Sequence, residues 1–132
     1  MDPSRGGPPI ALHQETSDFV ARAVAALDDK KGIDVLVLDV SALIVVTDAF
    51  VIVSGTSRPH IQSLAEGVEE ELRAVDRRPL RREGVQEARW VLLDYGDFVV
   101  HLFDQETREY YDLARLWSDA PRVEFPLRAV AE

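Results

Sequence analysis

Residues 90–103 constrain the fold more than any other part of this sequence. Two runs rich in β-branched and aromatic residues flank Gly96 and Asp97, and a glycine in first place suits a two-residue hairpin turn. That turn pairs Tyr95 with Phe98 and fixes which side chains share a face, because side chains alternate along a strand. One face of the hairpin is then wholly apolar and is expected to belong to a core. It comprises Val91, Leu93, Tyr95, Phe98, Val100 and Leu102.

The opposite face of the hairpin is chemically mixed. It carries Trp90, Leu92, Asp94, Val99, His101 and Phe103. Aromatic rings beside a carboxylate and an imidazole are typical of contact surfaces rather than of cores. The mixed face is therefore the predicted place of contact with a partner.

Charge indicates what kind of partner to expect. The 132 residues suit a single domain and carry a formal net charge of −9, so the mean field of the protein repels phosphate backbones. A stand-alone nucleic-acid binder is disfavoured, and a basic protein partner is favoured. There is no cysteine, no apolar run long enough to span a membrane and no signal-peptide pattern, so we expect a cytoplasmic protein.

The first half of the chain predicts one helix followed by two strands. Residues 1–11 are rich in proline and glycine and are expected to be disordered. Apolar spacing predicts a helix at about residues 17–31, with Ser17 as its N-cap and Gly32 just past its end. Residues 33–40 are nearly all apolar and predict a central strand buried on both faces. Residues 50–53 predict a second strand, either an antiparallel neighbour or a bent continuation of the first.

The second half predicts two more helices around the hairpin. Ser57 is expected to cap a helix that ends before Pro79, and a short edge strand follows at about residues 77–84. Asp104 is expected to cap a third helix over residues 105–117, on which Tyr110, Leu113 and Trp117 share one side. The fold class is α/β, with a mixed four- to five-stranded sheet and helices mainly on one face.

Catalytic and metal-binding patterns are weak in this sequence. The turn at residues 54–57 precedes a helix, as in nucleotidyltransferases, but the carboxylates that follow it lie on the helix and point apart. A capping turn is the preferred interpretation. His13, His60 and His101 are far apart and suggest no metal site, and no cofactor is expected. The arginines within residues 73–82 predict a solvated loop, or a peripheral contact with RNA in a larger assembly.

Four motifs lie along the chain in a fixed order. They are D-x-S at residues 39–41, T-D-x-F-V-I-x-S-G-x-S at 47–57, W-V-L-L-D-Y-G-D-x-V-V-H-x-F at 90–103 and R-x-x-Y-x-L-x-x-L-W at 108–117. Together they resemble the ribosomal silencing factor family, also called Iojap-like. The resemblance covers roughly residues 12–118 and leaves 119–132 as an expected extended tail. Ala49 departs from the aromatic residue usual in the family, and Ala114 from a frequent glutamate.

The resemblance implies a nucleotidyltransferase-like fold without an active site, and therefore a protein that is not an enzyme. It implies binding to the large ribosomal subunit through that subunit's protein L-fourteen. Occupying this surface sterically blocks joining of the small subunit and represses translation when nutrients are limiting. Relatives in organelles are linked to large-subunit assembly, and family members can form homodimers.

The expected contact residues lie in the hairpin and in the last helix. They are Trp90, Leu92, Asp94, Tyr95, Gly96, Asp97, His101, Tyr111 and Asp112. Leu93, Val100, Leu113 and Leu116 are expected to support this surface from beneath. Whether Trp90 faces the partner or the core is left open by the pattern.

Two other hypotheses remain open on the residues alone. One is a magnesium-dependent nucleotidyltransferase, which would use the turn at residues 54–57. The other is a homodimeric scaffold with an unrelated partner. They differ in whether nucleotide or ribosomal proteins bind.

Overall fold

The computed structural model describes residues 12–125, and within them the chain forms five strands and four helices. In chain order these are α1 (Gln14–Asp29), β1 (Ile33–Asp39), β2 (Ala49–Gly55), α2 (Arg58–Arg73), β3 (Arg81–Glu83), β4 (Trp90–Asp94), β5 (Phe98–Asp104), α3 (Gln105–Tyr111) and α4 (Leu113–Leu116). None of the described helices is long and apolar enough to cross a membrane. The disorder predicted for residues 1–11 lies outside the described residues.

The strands form one mixed sheet in the order β1-β2-β5-β4-β3. Strands β2 and β5 run parallel at its centre, and the other neighbouring pairs are antiparallel. The predicted α/β class, the mixed sheet and the short edge strand β3 are all confirmed. Of the two alternatives for the second strand, the antiparallel neighbour is the one that forms.

The prediction that β1 is a central strand is wrong, because β1 forms one edge of the sheet. Its far end is buried because residues 121–123 fold back along it. Asp39 N–H donates to the carbonyl of Pro121 (2.9 Å), and Val123 N–H donates to the carbonyl of Val37 (2.9 Å). A covered edge needs the same apolar side chains as a central strand, so composition could not separate the two.

The hairpin forms in the predicted register. Tyr95 N–H donates to the carbonyl of Phe98 (2.9 Å), and Leu93 lies opposite Val100. Gly96 opens the turn with a φ of +93°, a conformation that favours glycine. The division into an apolar face and a mixed face is therefore confirmed.

Helices α1 and α2 cover the apolar face of the sheet. Ser57 caps α2 by accepting the N–H of His60 (3.2 Å), as predicted. The predicted cap of α1 is wrong, because the helix begins three residues before Ser17 and has no side-chain cap. At its end Lys31, with a φ of +66°, takes the left-handed position expected of Gly32.

The third predicted helix is broken in two. Asp104 caps α3 as predicted, since its carboxylate accepts the N–H of Thr107 (2.7 Å). Asp112 then adopts the left-handed conformation, with φ 49° and ψ 59°, and ends α3. The break turns Leu113 into the protein, while Tyr110 stays exposed, so these two residues do not share one side as predicted.

A second, smaller apolar cluster covers part of the mixed face. Its buried members are Leu38, Val40, Phe50, Ile52, Val99, Phe103, Leu113 and Ala120. Trp117 of the segment after α4 packs edge-on against Phe50, with ring centroids 5.6 Å apart. The second apolar cluster therefore covers the half of this face that includes β1 and β2, whereas Trp90 and Leu92 on β4 are only partly buried.

We expect Gly84 to be required where the chain after β3 passes close to the backbone of β4. Its φ is +76°, and a Cβ built there would overlap the carbonyl oxygen of Trp90. Gly84→Ala should therefore lower the free energy of unfolding by at least about 1 kcal/mol. Gly67→Ala is the matched control, because a Cβ inside α2 would meet only the flexible side chain of Lys30. The midpoints of urea unfolding measure both, and equal midpoints would contradict the expectation.

Candidate surface for a protein partner

Trp90 lies at the start of β4 on the mixed face and is half-buried. Its indole N–H donates to Nδ1 of His101 across the hairpin (3.1 Å). One side of the ring packs on Phe103, with centroids 5.0 Å apart. The structure thus places Trp90 neither wholly in the core nor free in solvent, but as a fixed ring with one part exposed.

An array of aromatic rings extends from Trp90 towards solvent. Tyr111 packs against Trp90 with centroids 4.7 Å apart, and Tyr110 lies edge-on to Tyr111 at 4.9 Å. Tyr110 is 80% exposed. The three rings border a depression of about 380 Å³ that Arg89 and Glu106 also line. We call Trp90, Tyr110 and Tyr111 the aromatic patch.

A second concavity, of about 460 Å³, lies further along the mixed face. We call it the groove. It is lined by Ile44, Val46, Thr47, Phe50, Leu80, Arg81, Leu92, Asp94, Gly96, Val99 and His101. Most of these side chains are apolar, and Val46 and Leu80 are largely exposed. The groove thus joins the loop before β2 to the β3–β4 edge of the sheet.

His101 is only 6% exposed and lies within this lining. Burial lowers the pKa of His101 to about 4, and the nearby carboxylate of Asp94 opposes that shift only in part. The ring is therefore neutral near pH 7. Because Nδ1 accepts the indole proton of Trp90, the remaining ring proton belongs on Nε2.

The two aspartates of the hairpin face opposite sides of the sheet. Asp94 lines the groove, where it accepts the N–H of Gly96 (2.8 Å) and lies 3.5 Å from the guanidinium of Arg81. Asp97 instead accepts the hydroxyl of Thr16 (2.8 Å) and pairs with Arg77 (2.9 Å). Asp97 therefore ties the turn to the helical layer.

Tyr95 is placed on the other face from the groove, and the structure corrects its expected direct contact. It is 2% exposed and stacks on Phe98, with centroids 4.9 Å apart, beneath the helices. Burial, the largest cause, raises its pKa to about 12, so the phenol stays protonated. Tyr95 belongs to the same hairpin motif as Trp90. Because side chains alternate along a strand, however, Tyr95 points into the core.

The expected supporting residues fall into two groups. Leu93 and Val100 are fully buried under the helices, and Leu113 is buried on the mixed face. Leu116 is 69% exposed and supports nothing from beneath, because the break at Asp112 rotates α4 away from the predicted helical phase.

Several lining residues were missed from the sequence. Ile44, Val46 and Leu80 lie in connecting segments, where no periodicity assigns a face. Tyr110 was assigned to the side of Leu113 because an unbroken helix was assumed. The one available signal was the unusually apolar run before Thr47, which forms one wall of the groove.

The turn at residues 54–57 is tied to the helix that follows it. Thr56 N–H donates to Nδ1 of His60 (2.9 Å), and Nε2 of His60 donates to the carbonyl of Lys30 (2.9 Å). Arg108 ties α3 to the same region through the hydroxyl of Ser54 (3.0 Å). Over residues 12–125, no three His, Cys, Asp or Glu side chains come together in a way that could hold a metal ion.

Taken together, the geometry defines a small α/β protein that has the two long helices, α1 and α2, on one face of its sheet and a half-covered aromatic face on the other. The family described as "Ribosomal silencing factor during starvation" matches residues 13–132. A ribosomal silencing factor of Bacillus subtilis is 42% identical over 99 residues, which cover 75% of this chain and 84% of that protein. The chain belongs to the ribosomal silencing factor family, as its motifs predicted.

Two further relatives extend the comparison. A crystal structure of a protein from Chromobacterium violaceum superimposes with a TM-score of 0.76 at 32% identity, covering 84% of this chain and 92% of that one. A mouse protein named "Mitochondrial assembly of ribosomal large subunit protein 1" is 33% identical over 98 residues, which cover 72% of this chain and 43% of that protein. The sequence similarity thus extends to a relative whose name places it in mitochondria.

The buried histidine should make stability depend on pH. The unfolded chain binds a proton at His101 below about pH 6.5, whereas the native ring resists protonation until about pH 4. Stability is therefore full above pH 6.5 and falls as the pH drops towards 4. The loss attributable to His101 should approach about 3 kcal/mol.

Urea unfolding at pH 7 and pH 4.5, compared between the wild type and His101→Gln, measures this loss. The variant lacks the titrating ring but keeps the carboxylates of the protein, so it corrects for their titration. An identical pH dependence in the two proteins would show that His101 is not held neutral.

Proposed function

We propose that this protein binds the large ribosomal subunit through that subunit's protein L-fourteen and thereby sterically blocks joining of the small subunit. The consequence is repression of translation when nutrients are limiting. The action is that of a binding protein in the cytoplasm, and it uses no cofactor. Membership of a family named for ribosome silencing supports the ribosome as the target.

The observation that carries the proposal is the aromatic patch on the half of the mixed face that lacks cover. Trp90 is held by His101 and Phe103 but keeps part of its ring exposed beside Tyr111. A preorganised aromatic residue loses little side-chain entropy when it is buried by a partner. Partly exposed tryptophan and tyrosine are also the residues most enriched in binding hot spots.

Charge supports a basic protein as the partner. The net charge of −9 and the carboxylates near the patch favour encounter with a positive surface. Asp94 lies at the groove, and Asp112 lies at the end of α3 next to Tyr111. Each can meet a lysine or arginine of the partner without leaving the mixed face.

The proposed roles of the expected contact residues follow from their placement. Trp90, Leu92, Asp94, Tyr111 and Asp112 make direct contacts from the mixed face. Gly96 lies beside them at the turn, whereas Asp97 holds the turn against the helical layer. Tyr95 acts through packing alone. His101 lies at the bottom of the groove and holds Trp90.

The mechanism needs no chemistry at this surface. A folded domain of this size, once bound where the small subunit docks, sterically excludes the small subunit. Repression then depends on the residence time of the complex and on the amount of protein present.

A role in large-subunit assembly is the second candidate, and the name of the mouse relative favours it. It uses the same surface and the same subunit but acts earlier. Accumulation of incomplete large subunits on depletion of this protein would favour assembly. Normal subunits that join excessively in starved cells would favour silencing.

Replacing Trp90 tests the proposed surface. Trp90→Ala removes the central ring of the patch, and binding to purified large subunits should weaken by more than roughly 30-fold, the equivalent of about 2 kcal/mol. Co-sedimentation with salt-washed large subunits gives the affinity. A joining assay with small subunits should show a matching loss of inhibition.

The matched control for this variant is Phe19→Ala. Phe19 is also a partly buried aromatic residue, but it packs on the helical side under the guanidinium of Arg77 (4.4 Å to the ring centroid). It should cost stability and leave the affinity unchanged. Trp90→Ala protein that is folded and binds like the wild type would contradict the proposed surface.

Nucleotide binding separates this proposal from a nucleotidyltransferase. The amide of Thr56 is already occupied by His60, so this donor is not available to a phosphate. Titration of the protein with ATP and magnesium, followed by calorimetry, should give no heat of binding. Saturable, magnesium-dependent heat would revive the enzyme hypothesis.

A further inference from the structure

The groove contains a buried hydrogen-bond donor that nothing in the described part of the chain satisfies. The Nε2 atom of His101 is shielded from solvent and has no hydrogen-bond partner there. Its surroundings are apolar, since Phe50 lies edge-on to the imidazole at 4.8 Å and Leu92 pairs with it across the hairpin. A buried polar group without a partner is uncommon and costly in folded proteins.

Geometry fixes this atom as a donor. An indole nitrogen can only donate, so Nδ1 of His101, 3.1 Å from the Trp90 nitrogen, must accept. A neutral imidazole whose Nδ1 accepts carries its hydrogen on Nε2. The group therefore requires an acceptor, and another donor would not satisfy it.

We propose that the groove receives an apolar segment of the bound ribosomal protein, one of whose backbone carbonyl oxygens accepts the Nε2–H of His101. The inference rests on the proposed function and deepens it. It gives the mixed face two recognition elements, the aromatic patch and a carbonyl-binding groove, joined by the Trp90–His101 hydrogen bond.

The neighbourhood selects a neutral acceptor. Asp94 and Arg81 both line the groove and lie 3.5 Å apart, so Arg81 is already engaged by one carboxylate, and a second carboxylate buried at the neutral His101 would lose its hydration without gaining a free cation. A backbone carbonyl carries no charge and is present in every peptide segment. The exposed walls formed by Val46 and Leu80 suit the apolar side chains that would flank it.

Thr47 provides a second polar position in the same groove. Its hydroxyl oxygen is buried and has no partner within residues 12–125. A hydroxyl can both donate and accept, so it can meet another polar atom of the same backbone segment. Two buried polar atoms without partners, in a lining that is mostly apolar, suit a peptide backbone better than they suit a purely apolar side chain.

A pair of substitutions separates the donor from the support that His101 gives Trp90. His101→Asn places an amide near the position of Nδ1, so it can still accept from Trp90 but cannot reach the groove. His101→Gln extends its amide towards the position of Nε2 and retains a donor in the groove. Thermal unfolding first establishes that both proteins are folded.

Co-sedimentation with purified large subunits then gives the affinities. His101→Asn should bind roughly 5- to 150-fold more weakly than the wild type, because the partner's carbonyl is left buried without a donor. His101→Gln should recover a large part of that loss. Full affinity of folded His101→Asn would overturn the carbonyl-binding groove, and so would a loss confined to His101→Gln.

Trp90→Ala distinguishes failure of this inference from failure of the proposed function. If Trp90→Ala weakens binding while His101→Asn does not, the surface stands and the groove inference falls. A wild-type protein that does not bind large subunits would overturn both.

A structure of the wild-type protein on the large subunit tests the inference without any variant. A backbone carbonyl oxygen of the ribosomal protein should lie about 3 Å from Nε2 of His101. A groove that is closed in the complex, or filled only by carbon atoms or by water, would overturn it.

Discussion

The register of the β4–β5 hairpin is the constraint on which the rest of this structure depends. A slip of one residue would move Leu93 and Val100 to the mixed face and bring His101 under the helices. Two local features prevent it: Gly96 accepts the positive φ of the turn, and Asp94 accepts the N–H of Gly96. The apolar core then holds the register through side chains that fit only one face. Both the fold and the candidate surface follow from that single alignment.

Local patterns were enough to predict this hairpin, the capping of α2 by Ser57 and the short strand β3, because each depends on neighbours in sequence. Features that depend on contacts between distant parts of the chain could not be predicted from such patterns. The edge position of β1 is concealed by residues 121–123, which lie more than eighty residues away. The break at Asp112 is a backbone conformation that composition does not reveal, and it misplaced Tyr110 and Leu116 together. The alternation of side chains along the strand correctly predicted that Tyr95 is buried, whereas the family motif predicted that it contacts the partner.

The candidate surface exists because the mixed face is only half covered. Leu113 of α4 and the segment ending at Ala120 pack over β1, β2 and β5. Apart from the contact of Tyr111 with Trp90, they leave β3 and β4 uncovered, so the rings at Trp90 and the walls of the groove stay accessible. A longer unbroken helix after Asp104 would project away from the sheet and would leave Leu113 without a site on it. The break therefore completes the second apolar cluster and leaves the aromatic patch open.

The Trp90–His101 hydrogen bond links the stability of this protein to its proposed recognition. Burying an imidazole lowers its pKa and costs stability in acid, a disadvantage that a leucine at the same position would avoid. In return the ring fixes the orientation of Trp90 and carries the buried donor that we propose meets the partner. A buried polar group of this kind fixes the geometry of its neighbours rather than adding to the stability of the fold. Among the described residues, this buried polar group lies beneath the part of the mixed face that is only half covered. A binding surface requires such a group there, whereas a hydrophobic core does not.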